Sequence, residues 1–228
     1  MAHRDPETDS LLTPENCVVA FIDYQPEQFR GVSSKDKLDL MLNVLTLARI
    51  ARDFGLPTVL TSVGVRMGAN QSTESELLKY LPPNVREIDR TTMNSWEDEN
   101  FRNAILASGR RKLVMSGLWT EVCVAFPTLD ALKEGFEVYP VIDAIGGVTE
   151  EAHETAVTRM VQAGAKPITC LALACELQRD WARGHGDTLR SIMRWYFERL
   201  RSLRETQKEL RNGRAANFGK RGDLPHPH

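Results

Sequence analysis

The sequence predicts an α/β fold: a three-layer, doubly wound, mostly parallel sheet with helices on both faces, followed by a C-terminal helical extension. Three observations predict it. Short continuous apolar runs, typical of strands buried on both faces, recur along the chain. They alternate with longer stretches whose apolar residues recur every three or four positions. Right-handed crossovers turn such alternation into a parallel sheet. After Gly184-His-Gly186 the alternation stops and one long striped segment follows.

Each element follows from local chemistry. Cys17-Val-Val-Ala-Phe-Ile-Asp23 is an apolar run closing on a carboxylate. Ser34 precedes a helix over 35–54 with Leu38, Leu42, Leu45 and Ile50 on roughly one side, and Gly55 ends it. Pro57-Thr-Val-Leu-Thr-Ser-Val63 is the second strand. A looser region spans 64–83, and 85–90 is a short strand. A helix over 97–108 closes at Gly109, and 112–118 is the clearest central strand. A helix over 120–134 ends at Gly135; the strand at 136–142 is weakened by Pro140. A helix over 149–163, a short strand at 167–170 and a helix over 172–183 complete the body. Then Leu189, Ile192, Met193, Tyr196, Leu200, Leu203 and Leu210 form one stripe on a helix over 187–211, capped by Asp187 and ended by Gly213. Such a stripe calls for burial on the body or in a subunit interface. The remainder, 214–228, reads as a mobile tail. The organisation is an N-terminal arm (1–15), a body (16–186) and a C-terminal amphipathic helix with its tail (187–228).

Composition narrows the function classes. The 228 residues suit one large domain plus an extension, at ~150 residues per domain. Hydrophobic residues at 42% and charged residues at 26% are ordinary for a globular chain and exclude long disorder over most of it. No apolar run reaches the ~18–20 residues that span a bilayer, and residues 1–10 carry no apolar signal core. A cytoplasmic protein without a membrane partner is expected. Net charge is −2, but residues 188–228 carry ten Lys/Arg and four Asp/Glu, leaving the preceding part with 19 basic and 27 acidic residues. An acidic body followed by a basic segment suits packing on its own body or on a neighbouring subunit better than nucleic-acid binding. Four cysteines, Cys17, Cys123, Cys170 and Cys175, are too few for a disulfide scaffold, and none has C-x-x-C spacing. They read as free thiols, with Cys17, Cys170 and Cys175 in or near the core. Neither a phosphate-binding glycine loop nor a G-x-S-x-G elbow is present; Gly64, Gly68 and Gly146-Gly147 lack the spacing.

In open parallel sheets ligands bind at the carboxyl ends of strands. Asp23, Asp89, Arg90 and the segment 117–123 fall there. A helix starting near Thr120 puts Cys123 in its first turn, where unpaired N–H groups favour the thiolate and can hold an oxyanion. Asp23 would take the thiol proton and Arg90 would hold the negative charge, the arrangement of covalent catalysis. The alternatives are a core cysteine, a loop-capping aspartate and a purely structural arginine partner. Trp96 and Trp119 lie near the rim as pocket walls or core residues, Gln25 as a polar partner, and His153 as an ordinary surface or core histidine.

Two segments carry a resemblance. Val19-Ala-Phe-Ile-Asp-Tyr-Gln25 resembles the first-strand motif of the isochorismatase-like cysteine hydrolases. Lys112 to Val124, with Gly117-Leu-Trp-Thr-Glu-Val-Cys-Val124, resembles their nucleophile segment. Val141-Ile-Asp-Ala144 and Ala174 to Trp181 resemble the narrower YcaC-type branch, and the likeness spans about residues 16–181. It implies a hydrolase body of three layers, a Cys–Asp–Lys triad and a non-proline cis peptide at Leu118–Trp119 aiming the N–H groups of Trp119 and Cys123 at an oxyanion. Asp23, Arg90 and Cys123 are then the catalytic candidates, and Gln25, Trp96 and Trp119 the substrate-binding ones. Arg90 stands where the triad lysine is expected. It keeps the charge and grips Asp23 bidentately, but it does not donate its proton. Related nicotinamidases hold a metal through an Asp and two His after the second strand. Residues 61–70 contain no histidine, and the body has only His153 and His185, so neither metal nor cofactor is expected. The resemblance implies a homo-oligomer, a dimer or a larger ring, acting on a small amide or related carbonyl compound. The alternatives are an oligomeric binding or scaffold protein that keeps the fold without turnover, and a thiol redox sensor.

Overall fold

The computed structural model describes Asp5 and residues 8–219, with side chains through residue 210. Strands β1 (Cys17–Ile22), β2 (Thr58–Val63), β3 (Glu87–Arg90), β4 (Lys112–Gly117) and β5 (Glu137–Pro140) form one parallel sheet in the order β3-β2-β1-β4-β5. Because side chains alternate along a strand, β1 feeds two cores. Cys17, Val19 and Phe21 face one core with α2 (Lys37–Asp53), α7 (Cys170–Gln178) and the start of α8 (Gly186–Gly219). Val18, Ala20 and Ile22 face the other with α4 (Glu99–Ala107), α5 (Ala125–Lys133) and α6 (Glu150–Gln162). Two short helices, α1 (Pro26–Gly31) and α3 (Ser75–Leu78), complete the order.

Register brings the strand ends level. Ile22 lies opposite both Thr61 and Gly117, and Val63 lies opposite Arg90. The segments leaving β1, β3 and β4 therefore meet above one rim.

Several elements differ from the sequence expectation. The helix α1, starting with a proline at its first position, was not expected. Asp36 rather than Ser34 caps α2, accepting from the N–H groups of Leu38 (2.9 Å) and Asp39 (3.1 Å), so Leu38 falls on the first turn, 48% exposed. The helix expected from residue 97 is a 3-10 turn, Ser95–Glu97, followed by α4 with Asp98 as its cap. The expected strand at 167–170 is one parallel bridge, Val141 to Ile168, because α7 already begins at Cys170. That helix stops at Gln178, five residues short, where Arg179 adopts a positive φ of 59°. Gly213 does not stop α8, which runs 34 residues to Gly219. An interior glycine costs a helix only about 1 kcal/mol. The expected tail is thus helical through 219, and residues 220–228 lie outside the described residues.

The stripe on α8 loses cover along its length, with Met193, Tyr196, Leu200 and Leu203 half-buried. Leu189 and Ile192 are buried, and Trp195 packs at 5.4 Å from the Tyr80 ring, whereas Phe197 and Leu210 are exposed. The N-terminal segment is fastened to the body: Leu12 is buried, and its N–H donates to Glu176 (2.8 Å). Among the described residues no helix is long and apolar enough to cross a membrane.

Candidate active site

Asp23 follows β1 directly and turns the chain with a left-handed φ of 56°, a conformation aspartate tolerates better than most residues. Its N–H donates to the Thr61 carbonyl (2.9 Å), and its side chain is buried. Arg90 ends β3, and its guanidinium forks onto Asp23, Nη1 to Oδ1 at 3.0 Å and Nη2 to Oδ2 at 2.7 Å. Nη1 also donates to the Ser62 carbonyl (3.3 Å). Cys123 lies in a π-helical turn, Thr120–Val124, between β4 and α5. Its thiol lies beside the Asp23 carboxylate. The three candidate catalytic side chains thus form one cluster at the carboxyl edge of the sheet. It is nearly closed: Asp23 is 0%, Arg90 2% and Cys123 8% exposed.

The thiol does not match the expected helix-start thiolate. Burial pushes its pKa well up, the negative charge of Asp23 pushes it further, and Arg90 and the Trp119 backbone pull the other way. The N–H of Cys123 is engaged, donating to the Trp119 carbonyl at 2.9 Å, so it adds no free donor. Burial also lifts the Asp23 carboxyl above its ordinary value, opposed by the charge and hydrogen bonds of Arg90. The proton therefore rests on sulfur, next to a carboxylate able to receive it.

The Leu118–Trp119 peptide is cis. Trp119 is half-buried, and its indole N–H donates to the Gln28 carbonyl (2.9 Å). The ring lies flat against Gly31, where a Cβ would sit 2.5 Å from Cζ2. The other two substrate-binding candidates are placed differently. Gln25 is fully buried, its Oε1 accepting from Val63 N–H (3.0 Å) and its Nε2 donating to the carbonyls of Val63 (3.1 Å) and Gln71 (2.6 Å). Trp96 stands edge-on to Phe136, centroids 5.3 Å apart, and donates to Glu134 at 2.9 Å. Gln25 pins the loop after β2, and Trp96 fills the core beneath α5; hydropathy and spacing alone do not separate such roles from pocket contact. Sequence reasoning also passed over the bond between Thr120 Oγ1 and His153 Nδ1 (2.8 Å, buried). The threonine of the nucleophile segment was the available signal. Among the described residues no three His, Cys, Asp or Glu side chains gather as a metal site.

A parallel α/β sheet presenting a cysteine, a carboxylate and a fixed cation at its carboxyl edge defines the class, an α/β fold built around a cysteine nucleophile candidate. The isochorismatase domain matches residues 17–170, and the chain belongs to that family. Within it the chain falls in the YcaC-type branch. It is 37% identical over 170 residues to "Probable hydrolase YcaC" of Escherichia coli, covering 75% of this chain and 81% of that protein. The crystal structure of the Escherichia coli YcaC gene product, described as an octameric hydrolase of unknown specificity, superposes with a TM-score of 0.79 at 35% identity, covering 89% of this chain and 98% of that one. YcaC from Pseudomonas aeruginosa, solved with hexane-2,5-diol and covalent acrylamide, gives 0.75 at 36% identity, covering 86% and 98%.

Proposed function

We propose that this protein is a cysteine-dependent hydrolase of a small, uncharged amide or related carbonyl compound, working through a thioester. The observation that carries this reading is the buried cluster in which Arg90 forks onto Asp23 with the Cys123 thiol beside the carboxylate. Asp23 takes the proton from Cys123 as sulfur attacks the carbonyl carbon. The oxyanion forms beside the Trp119 N–H, a backbone donor at the sulfur. Asp23 then gives its proton to the leaving amine, the C–N bond breaks, and a thioester remains. Water attacks the thioester with Asp23 as base, and sulfur leaves as the thiol. Arg90 stays protonated throughout; it orients Asp23 and balances its charge. The pair is neutral overall, which suits an uncharged substrate.

The four cysteines are free, in keeping with a reducing compartment and a cytoplasmic setting. Assembly with further copies of itself is supported by the octamer of the Escherichia coli relative and by the uncovered apolar residues of α8.

One observation favours the second reading, a scaffold without turnover: the cluster is almost wholly enclosed. Incubation of the full chain with a panel of small primary amides decides between them. Ammonia release, an acyl adduct on the Cys123 peptide, and loss of both in Cys123→Ala are the expected results. No release from any amide, or release that persists in Cys123→Ala, overturns the hydrolase reading.

A further inference from the structure

We propose that His153 is a positioning residue for Cys123, holding through Thr120 the turn that presents the thiol to Asp23. The inference deepens the hydrolase reading and rests on it for its meaning. Thr120 opens the π-helical turn, three residues before Cys123, and is fully buried. Its hydroxyl is hydrogen-bonded to Nδ1 of His153, which belongs to α6. The remaining ties of this turn run to the loop before α6. Leu118 bridges Gly146, the Thr120 N–H donates to the Gly146 carbonyl (3.0 Å), and Glu121 accepts from the Val148 N–H (3.0 Å). The Thr120–His153 bond passes beyond that loop to a helix of the body, so it fixes the turn against a rigid element.

The packing makes the bond specific. The loop threads between Glu121 and His153 at Gly147, where a Cβ would sit 2.6 Å from Glu121 Oε2 and 3.0 Å from His153 Cβ. A side chain there would have to move Glu121 and press on His153, so glycine lets the loop pass close to both. Burial, with the nearby Lys35 ammonium, holds the His153 pKa down at about 4, so the ring is neutral around pH 7. A neutral ring in contact with the hydroxyl of the nucleophile turn has a geometric role and no proton-transfer role, since Asp23 is the carboxylate at the sulfur.

The test compares second-order rates of alkylation of each cysteine by acrylamide, resolved by peptide mass spectrometry, in the full chain. His153→Ala and Thr120→Val are each expected to slow Cys123 by about tenfold, since small misplacements of a reacting group carry effects of this order or more. The double variant is expected to be no slower than either single one, with exposed Cys175 unchanged as the internal reference. His153→Asn puts a polar atom where Nδ1 stands and is expected to restore the rate; His153→Gln puts it where Nε2 stands and is not. A Cys123 rate that is unchanged or faster in Thr120→Val, or equal rates in the Asn and Gln variants, overturns the proposal. The Thr120→Val and Asn/Gln comparisons decide the matter if His153→Ala does not fold. These ratios need no substrate, so their failure is separate from failure of the amide panel.

Discussion

Cys170, like Cys123, lies in the first turn of a helical segment with an aspartate against its thiol. Asp143 is a partner of the Cys170 sulfur, and burial and that carboxylate raise the Cys170 pKa as they do for Cys123. The carboxylates are used differently. Asp143 accepts the backbone N–H of Cys170 at 3.0 and 3.2 Å, capping α7, and the Cys170 thiol donates to the Asn43 carbonyl (3.3 Å). Asp23 caps no helix; both its oxygens are held by Arg90, leaving it to face the sulfur. Cys170 is wholly enclosed, while Cys123 retains some exposure. A cysteine and an aspartate at a helix start therefore make either a fastening or a reaction centre. Lys35 stands near Asp143 as well, so what separates the two is the arginine fork on both oxygens of Asp23 and the reach of the sulfur.

The largest effect is expected from removing each sulfur. Cys123→Ala should lower amide hydrolysis about a thousandfold or more, while Cys170→Ala should leave turnover within about twofold and lower stability by about 1–2 kcal/mol. Denaturant melts beside rate measurements would show the two losses separated; equal losses of rate would erase the distinction.

The cation comes next. Arg90→Met leaves a buried carboxylate unpaired and should destabilise the fold by about 3–5 kcal/mol at neutral pH. The sign with pH follows from Asp23, whose folded pKa already lies above its ordinary 3.8 and rises further without Arg90. Such a group contributes stability below the unfolded value and loses it as pH rises through the folded one. The variant should thus recover stability, relative to the parent, in urea melts at acidic pH. A deficit independent of pH would mean that Arg90 does not hold the charge of Asp23.

The smallest effect concerns His153, whose pKa falls from 6.5 to about 4 on folding. The unfolded chain binds the proton first, so this contribution is present above pH 6.5 and is lost as pH falls towards 4. Urea melts of the parent and His153→Asn over this window isolate it.

The sheet was legible because β1, β2 and β4 are continuous apolar runs, and burial on both faces leaves few other uses for such runs. The pairing of Asp23 with Arg90 was legible from the ends of those runs together with a family motif. Other features depend on the third dimension. The α1 helix is six residues long and follows directly on the Asp-Tyr-Gln turn, too short for a period to show. The π-helical turn at Cys123 differs from an α-helical start by one hydrogen-bond offset, too small a difference for a residue pattern to show, and it is burial that keeps the thiol protonated. Gln25 and Trp96 have side chains suited to binding, but they are turned to backbone and core.

The left-handed backbone at Asp23 also shapes how this family member can change over generations. Few residues other than glycine accept that conformation, and asparagine is one of them. Aspartate and asparagine codons differ by one base. Asparagine at this position would keep the turn but leave the buried Arg90 guanidinium without its counter-charge. The turn alone therefore does not demand aspartate here; the enclosed arginine does, because either partner of the pair by itself is a buried, uncompensated charge.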